Sequence, residues 1–152
     1  MTDAATLFRR FSRLPGGRWA FSRALCRRAP YFGTIRPAVR VVESGRAEVA
    51  LPKRRAVENH IGTVHVIAVC NGLEAAMGLL AEATVPRGMR WIPKGMEVSY
   101  VAKATSDLLC VAESDPAQWS SPGDVPVRVF AVRDDGTVVV EGTITVYVSE
   151  KT

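Results

Sequence analysis

Hydrophobic positions along the chain change period twice, and the changes divide it into three stretches. Near the N-terminus, Leu7, Phe8, Phe11 and Leu14 recur at helical spacing with arginines between them. Thr2 and Asp3 stand where a cap belongs, and Pro15-Gly16-Gly17 ends this first helix. A second short helix follows, with Trp19, Phe21, Ala24 and Leu25 apolar, and stops before Pro30. From Ile35 onward the period falls to two. Val39 and Val41 alternate with Arg40 and Val42, Glu43-Ser44-Gly45-Arg46 makes a turn, and Ala47–Leu51 alternates again, which predicts a hairpin.

Residues 62–83 then read as one long helix closed by Val85 and Pro86. Val66, Ile67, Val69, Cys70, Leu73, Ala76, Met77 and Leu80 make it apolar around most of its circumference. Such a helix needs cover on nearly all sides. Four strands are expected after it, at Met96–Ala104, Leu108–Glu113, Val127–Val132 and Val138–Val148. Asp134-Asp135-Gly136 turns the last pair into a hairpin, and Pro93 and Gly95 mark a bend or edge before the first. One apolar helix among hairpin-linked strands predicts an α+β domain with an antiparallel sheet wrapped around the helix. Residues 1–30 read as a helical appendage and 31–152 as the main domain.

Composition narrows the class. With 152 residues, 47% hydrophobic and 23% charged, the chain can bury a core of its own, and disordered or collagenous classes drop out. Cys26, Cys70 and Cys110 are widely spaced and odd in number, which fits a reducing, cytoplasmic setting and forms no zinc-type cluster. The arginines interrupting the first twenty residues argue against a secretory signal. The apolar run Ile61–Ala81 contains His65, Asn71 and Glu74, so it reads as a buried soluble helix.

Charge is uneven. The net +5 divides into +10 over residues 1–55 and −5 over the rest. Without the motifs or interleaved aromatics of a nucleic-acid binder, the basic N-terminal helices are expected to pack on the protein's own core. Contact with a membrane or partner is the weaker alternative.

The chemistry concentrates in Asn59-His60-Ile61-Gly62-Thr63-Val64-His65 and in Glu74. A helix start exposes free N–H groups and the positive end of the dipole, where a carbonyl can be polarised. Glu74 is the only charged side chain between His65 and Glu82, and a carboxylate in apolar surroundings can serve as base or nucleophile. His65 and Glu74 are nine residues apart, about 900° around the helix and roughly 13 Å along it. They therefore face opposite ways, and one site using both must draw on two copies of the chain. Asn71 and Gly78 share the face of Glu74.

Asn-x-x-Gly-Thr-x-His followed nine residues later by an acid, in this order of elements, resembles the hotdog-fold acyl-CoA thioesterases. The likeness is strongest to the phenylacetyl-CoA type and to an uncharacterised branch related to it, and covers roughly Tyr31 to Ser149. It implies a hotdog fold, a homodimer or homotetramer, and an acyl-CoA substrate with no separate cofactor or metal. It also implies Glu74 as base or nucleophile, with Asn59 and His65 in the catalytic segment. Gly62, Thr63, Asn71 and the amides of Val66 and Ile67 would hold the thioester. The family's Gly-Gly after the histidine is Val66-Ile67 here. For the coenzyme A phosphates, Arg87, Arg90 and Lys94, with Lys103, are the candidate cations. The rival reading is a non-catalytic acyl-CoA or lipid binder. A hydratase on the same fold has no residue here that favours it.

Overall fold

A computed structural model describes residues 3–151. Asp3 caps α1 (Ala4–Ser12) by accepting the Thr6 N–H at 2.7 Å; Thr2 lies outside the described residues. Gly16 reverses the chain into α2 (Gly17–Arg28), and a 3-10 turn over Pro30–Ile35 leads to the sheet. Gly17 is required where the two helices cross, since a Cβ there would stand 1.7 Å from the Phe11 carbonyl oxygen. Phe8 and Phe21 meet edge to face at 5.1 Å, and both are buried in the same core as the sheet. The apolar side of the N-terminal helices thus packs on the protein itself, while their arginines face out.

The sheet contains β1 (Ala38–Glu43), β2 (Arg46–Leu51), β3 (Met89–Tyr100), β4 (Leu108–Glu113), β5 (Gly123–Arg133) and β6 (Val138–Glu150). All neighbours are antiparallel, in the order β1-β2-β4-β5-β6-β3. Its inner face is dominated by small branched side chains, among them Val49, Val127, Val129, Val146 and Val148, all fully buried. These residues suit a pleated, curved surface.

The central helix α3 (Val66–Thr84) lies in that curve, packed chiefly on β2 and β4 through Val69, Leu73, Met77 and Leu80. It is the helix among the described residues long and apolar enough to cross a membrane, but 56% of its most apolar window is buried within the fold. Gly72 lets it settle against β4, because a Cβ there would meet the Cys110 sulfur at 2.6 Å. This is the α+β hotdog arrangement expected from the order of elements.

Boundaries of α3, β3 and β5 differ from those expected, β5 beginning at Gly123 rather than Val127. The helix begins at Val66 rather than near residue 62, because Gly62 sits at φ +75°, outside helical backbone. Thr63 and Val64 instead tie into the Asn59 turn and to Ala104, whose carbonyl accepts the Val64 N–H at 2.9 Å. The strand expected at Met96–Ala104 spans Met89–Tyr100, passing through Pro93 with a bulge between Pro93 and Gly95. A proline is tolerated there because β3 is a sheet edge.

Candidate active site

Asn59 organises the segment before the helix. Its Oδ1 accepts the N–H groups of Ile61 and Thr63, both at 3.1 Å, and its Nδ2 donates to Thr63 Oγ1 at 2.8 Å. Gly62 supplies the left-handed residue that closes this turn, and Thr63 is buried inside it. The turn delivers His65 to the N-cap of α3, where Nδ1 accepts the Ile67 N–H at 3.1 Å. An imidazole accepting at Nδ1 carries its proton on Nε2.

This cap changes the expected electrophilic site. The Ile67 amide is occupied by His65, whereas the Val66 N–H has no partner among the described residues. One helix-start amide, not two, is left to meet a carbonyl oxygen. The Val66 side chain is partly buried; that of Ile67 is 54% exposed. A groove of about 300 Å³ opens here, lined by His60, Thr63, His65, Val66, Tyr100 and Lys103.

Glu74 lies elsewhere, two and a half turns along α3, as the nine-residue spacing requires. Its groove, about 430 Å³, is walled by Leu25, Arg28 and Phe32 on one side and by Met77 and Trp91 on the other. Trp91 lies across Gly78, and its indole N–H donates to Glu82 Oε1 at 3.0 Å. Glu82 thus latches the ring that forms one wall. In the single chain Glu74 is exposed and makes no hydrogen bond among the described residues, so the apolar enclosure expected around it is only half built.

Asn71 does not join Glu74. It is 6% exposed and its Nδ2 donates to the Tyr31 carbonyl and to Thr34 Oγ1 at 3.4 and 3.3 Å, tying α3 to the 3-10 turn. Arg87, Arg90 and Lys94 flank the start of β3 and its proline, while the helix-start groove meets its far end at Tyr100. Lys94 pairs with Asp124 at 2.7 Å and Arg90 Nε donates to Ser149 Oγ. Lys103 is the cation from the sequence reading that lines the helix-start groove.

None of the three thiols is activated by its surroundings, and partial burial raises the pKa of Cys26. Burial raises the pKa of Cys70, and it pushes the fully enclosed Cys110 up to about 12 with help from neighbouring Cys70. No group of three or more His, Cys, Asp or Glu among the described residues could hold a metal.

Sequence reasoning missed Trp91, Phe32 and Tyr100. Trp91 fell in a segment read as a bend, although Met89-Arg90-Trp91 already alternates buried and exposed.

A profile of a domain of unknown function, DUF4442, matches residues 17–148. The chain belongs to the DUF4442 family. Its match takes in α2 as well as the whole sheet. This DUF4442 chain is 42% identical to the structural-genomics crystal structure APC5556, with a TM-score of 0.85 over 97% of this chain and 99% of that one. It also resembles a Pseudomonas aeruginosa protein of unknown function described as a probable thioesterase. That likeness has 18% identity and a TM-score of 0.77, over 91% of this chain and 97% of that one. A thioesterase from Haemophilus influenzae superposes with a TM-score of 0.71 at 11% identity, covering 84% and 87% of the two chains. No curated protein sequence matches. The DUF4442 chain therefore has a thioesterase-like hotdog fold.

Proposed function

We propose that this protein hydrolyses an acyl-CoA thioester at a site completed by a second copy of the chain. One observation carries the reading. The two half-sites open at opposite ends of the unpaired strand β3: Trp91 and Pro93 border the Glu74 groove, and Tyr100 borders the helix-start groove. Twofold pairing of β3 with its copy is antiparallel, which sets each end against the other end of its partner. Glu74 of one chain then comes beside the α3 start of the other.

In that arrangement the Glu74 carboxylate takes a proton from water as its oxygen attacks the thioester carbon. The charge gathering on the carbonyl oxygen meets the Val66 N–H and the helix dipole. Collapse breaks the carbon–sulfur bond, and the thiolate leaves with the proton to give a carboxylic acid and a thiol. Closing the groove over Glu74 removes water that would otherwise screen it.

The test is thiol release by the full chain from aromatic, short and long acyl-CoA thioesters. Glu74→Ala, with unchanged circular dichroism, is expected to lower turnover by about 10²-fold or more. No turnover on any acyl class overturns the reading.

The occupied Ile67 amide favours a second reading, an acyl-CoA binder that does not hydrolyse. Saturable acyl-CoA binding without thiol release, unaffected by Glu74→Ala, identifies it.

A further inference from the structure

Four arginines border a groove that the thioester reading does not use. Arg18 and Arg23 come from α2, Arg36 from the end of the 3-10 turn, and Arg40 from β1; Trp19 forms the rim and Ser22 the back wall. The cleft measures about 470 Å³, and no carboxylate lines it. Among the described residues none of the four guanidinium groups has an ion pair or a side-chain hydrogen bond. Arg18 and Arg40 also border an adjoining groove that holds Asp3 and Glu43, and the Arg18 guanidinium lies over the Phe8 ring at 5.9 Å. Within the cleft itself no carboxylate offsets the gathered positive charge, which favours entry of an anion.

The backbone is bent to make this gathering. Arg36 is the one non-glycine residue with positive φ among those described, at +50°. Such a conformation is uncommon for a side chain of this size and concentrates at functional sites. Arg40 is the extra residue of the bulge that shifts β1 register between Val39 and Val41, a device that re-aims side chains. The back wall is fixed too, since Ser22 Oγ accepts the buried Val39 N–H at 2.9 Å while donating to the Arg18 carbonyl. Two separate irregularities thus place two arginines in one cleft with a pair from the helix.

Trp19 adds a flat apolar surface. Its side chain is 70% exposed, and the Arg23 guanidinium lies over the ring at 5.8 Å. Guanidinium forks match phosphate oxygens pairwise, and an exposed indole offers a stacking face. We propose that this groove binds an organic diphosphate carrying a flat ring, the chemistry of a nucleoside diphosphate. The site stands independently of thioester hydrolysis. Across α2, it takes Arg23 and Cys26, whereas the Glu74 groove takes Leu25 and Arg28.

The experiment titrates the full chain with ADP, inorganic pyrophosphate and adenosine by calorimetry, and with phosphatidylglycerol vesicles by co-sedimentation. ADP is expected to bind with a dissociation constant below about 1 mM. Pyrophosphate should compete with it, and adenosine alone should bind at least tenfold more weakly. Arg36→Ala with Arg40→Ala should weaken ADP binding about tenfold or more. Arg27→Ala with Arg55→Ala removes the same charge outside the groove and should change it less than about twofold. Absence of ADP and pyrophosphate binding, equal losses in the two double variants, or binding to vesicles alone overturns the proposal.

Discussion

Along β1 the sheet ends under cover: α2 packs beside it, Ser22 accepts the Val39 N–H, and a bulge bends the six-residue strand. Along β3 it ends without a covering helix, on twelve residues whose side chains are mostly exposed and whose line is broken by one bulge at Pro93–Gly95. Ile92 and Tyr100 are 62% and 63% exposed, and the adjoining Val101 is 51% exposed. Proteins blunt edges to prevent unwanted pairing, by the means seen at β1. One edge is thus closed by a helix, and the other, twice as long, carries only Pro93, Lys94 and a bulge as protection. Both half-sites open at β3, and that placement ties the edge to the chemistry proposed for it.

The largest expected effect comes from breaking the open edge. Ile92→Lys with Tyr100→Lys should leave the fold intact but convert the proposed dimer to monomer in sedimentation. It should also lower thioester turnover by about 10²-fold, through loss of the facing half-site. A dimer that survives both lysines would separate β3 from assembly.

At the closed edge, Ser22→Ala strands a buried N–H and should destabilise the fold by about 1–3 kcal/mol, read by denaturant unfolding. It should leave the oligomeric state unchanged. An unfolding midpoint equal to the parent's would mean that α2 does not seal β1.

Cysteines sharpen the contrast between edge and interior. At pH 8, Cys110 on central β4 should resist alkylation until the protein unfolds, since its thiol titrates near about 12. Cys26 beside β1 and Cys70 on α3 are raised by partial burial alone, and should react slowly in the native state. Mass spectrometry of labelled peptides gives the order; rapid native labelling of Cys110 would contradict the packing around Gly72.

The smallest effect lies in the β5–β6 turn. Asp135 accepts from Arg133 and from the Thr137 N–H, which holds its carboxyl down to about 2, below the ordinary 3.8. Because the folded value is depressed, its contribution is present above the unfolded value and lost as pH falls through about 2. Asp135→Asn should therefore narrow the difference in melting temperature between pH 5 and pH 2, and an unchanged difference would remove Asp135 from the acid response.

The elements legible in the sequence were those with strong local signals. The β1–β2 hairpin, α3, β4 and the Asp134-Asp135-Gly136 turn each follow from local signals: the two-residue period of β2, the apolar runs of α3 and β4, and the turn residues themselves. The Arg40 bulge in β1 left no such trace. Nor did the start of β3, since Pro93 and Gly95 imitate a break that an edge strand absorbs as a bulge. The first turn of α3 did not either: nothing local says that Thr63 and Val64 are drawn off the helix by Asn59 and by Ala104 forty residues away. At the site, the spacing of His65 and Glu74 already required separate half-sites. Occupation of the Ile67 amide depends on one rotamer of His65. The Trp91–Glu82 latch spans only nine residues, but it depends on the chain turning back after Pro86, which no periodicity announces.

The hydrogen bond from Val39 to Ser22 also bears on the proposed pairing along β3. A sheet with two free margins could add copies without limit and grow into a fibre. With β1 stoppered, each chain has one margin to offer, and two copies that join along it leave none for a third. In the proposed dimer, a single hydroxyl on α2 would thereby help keep the particle finite.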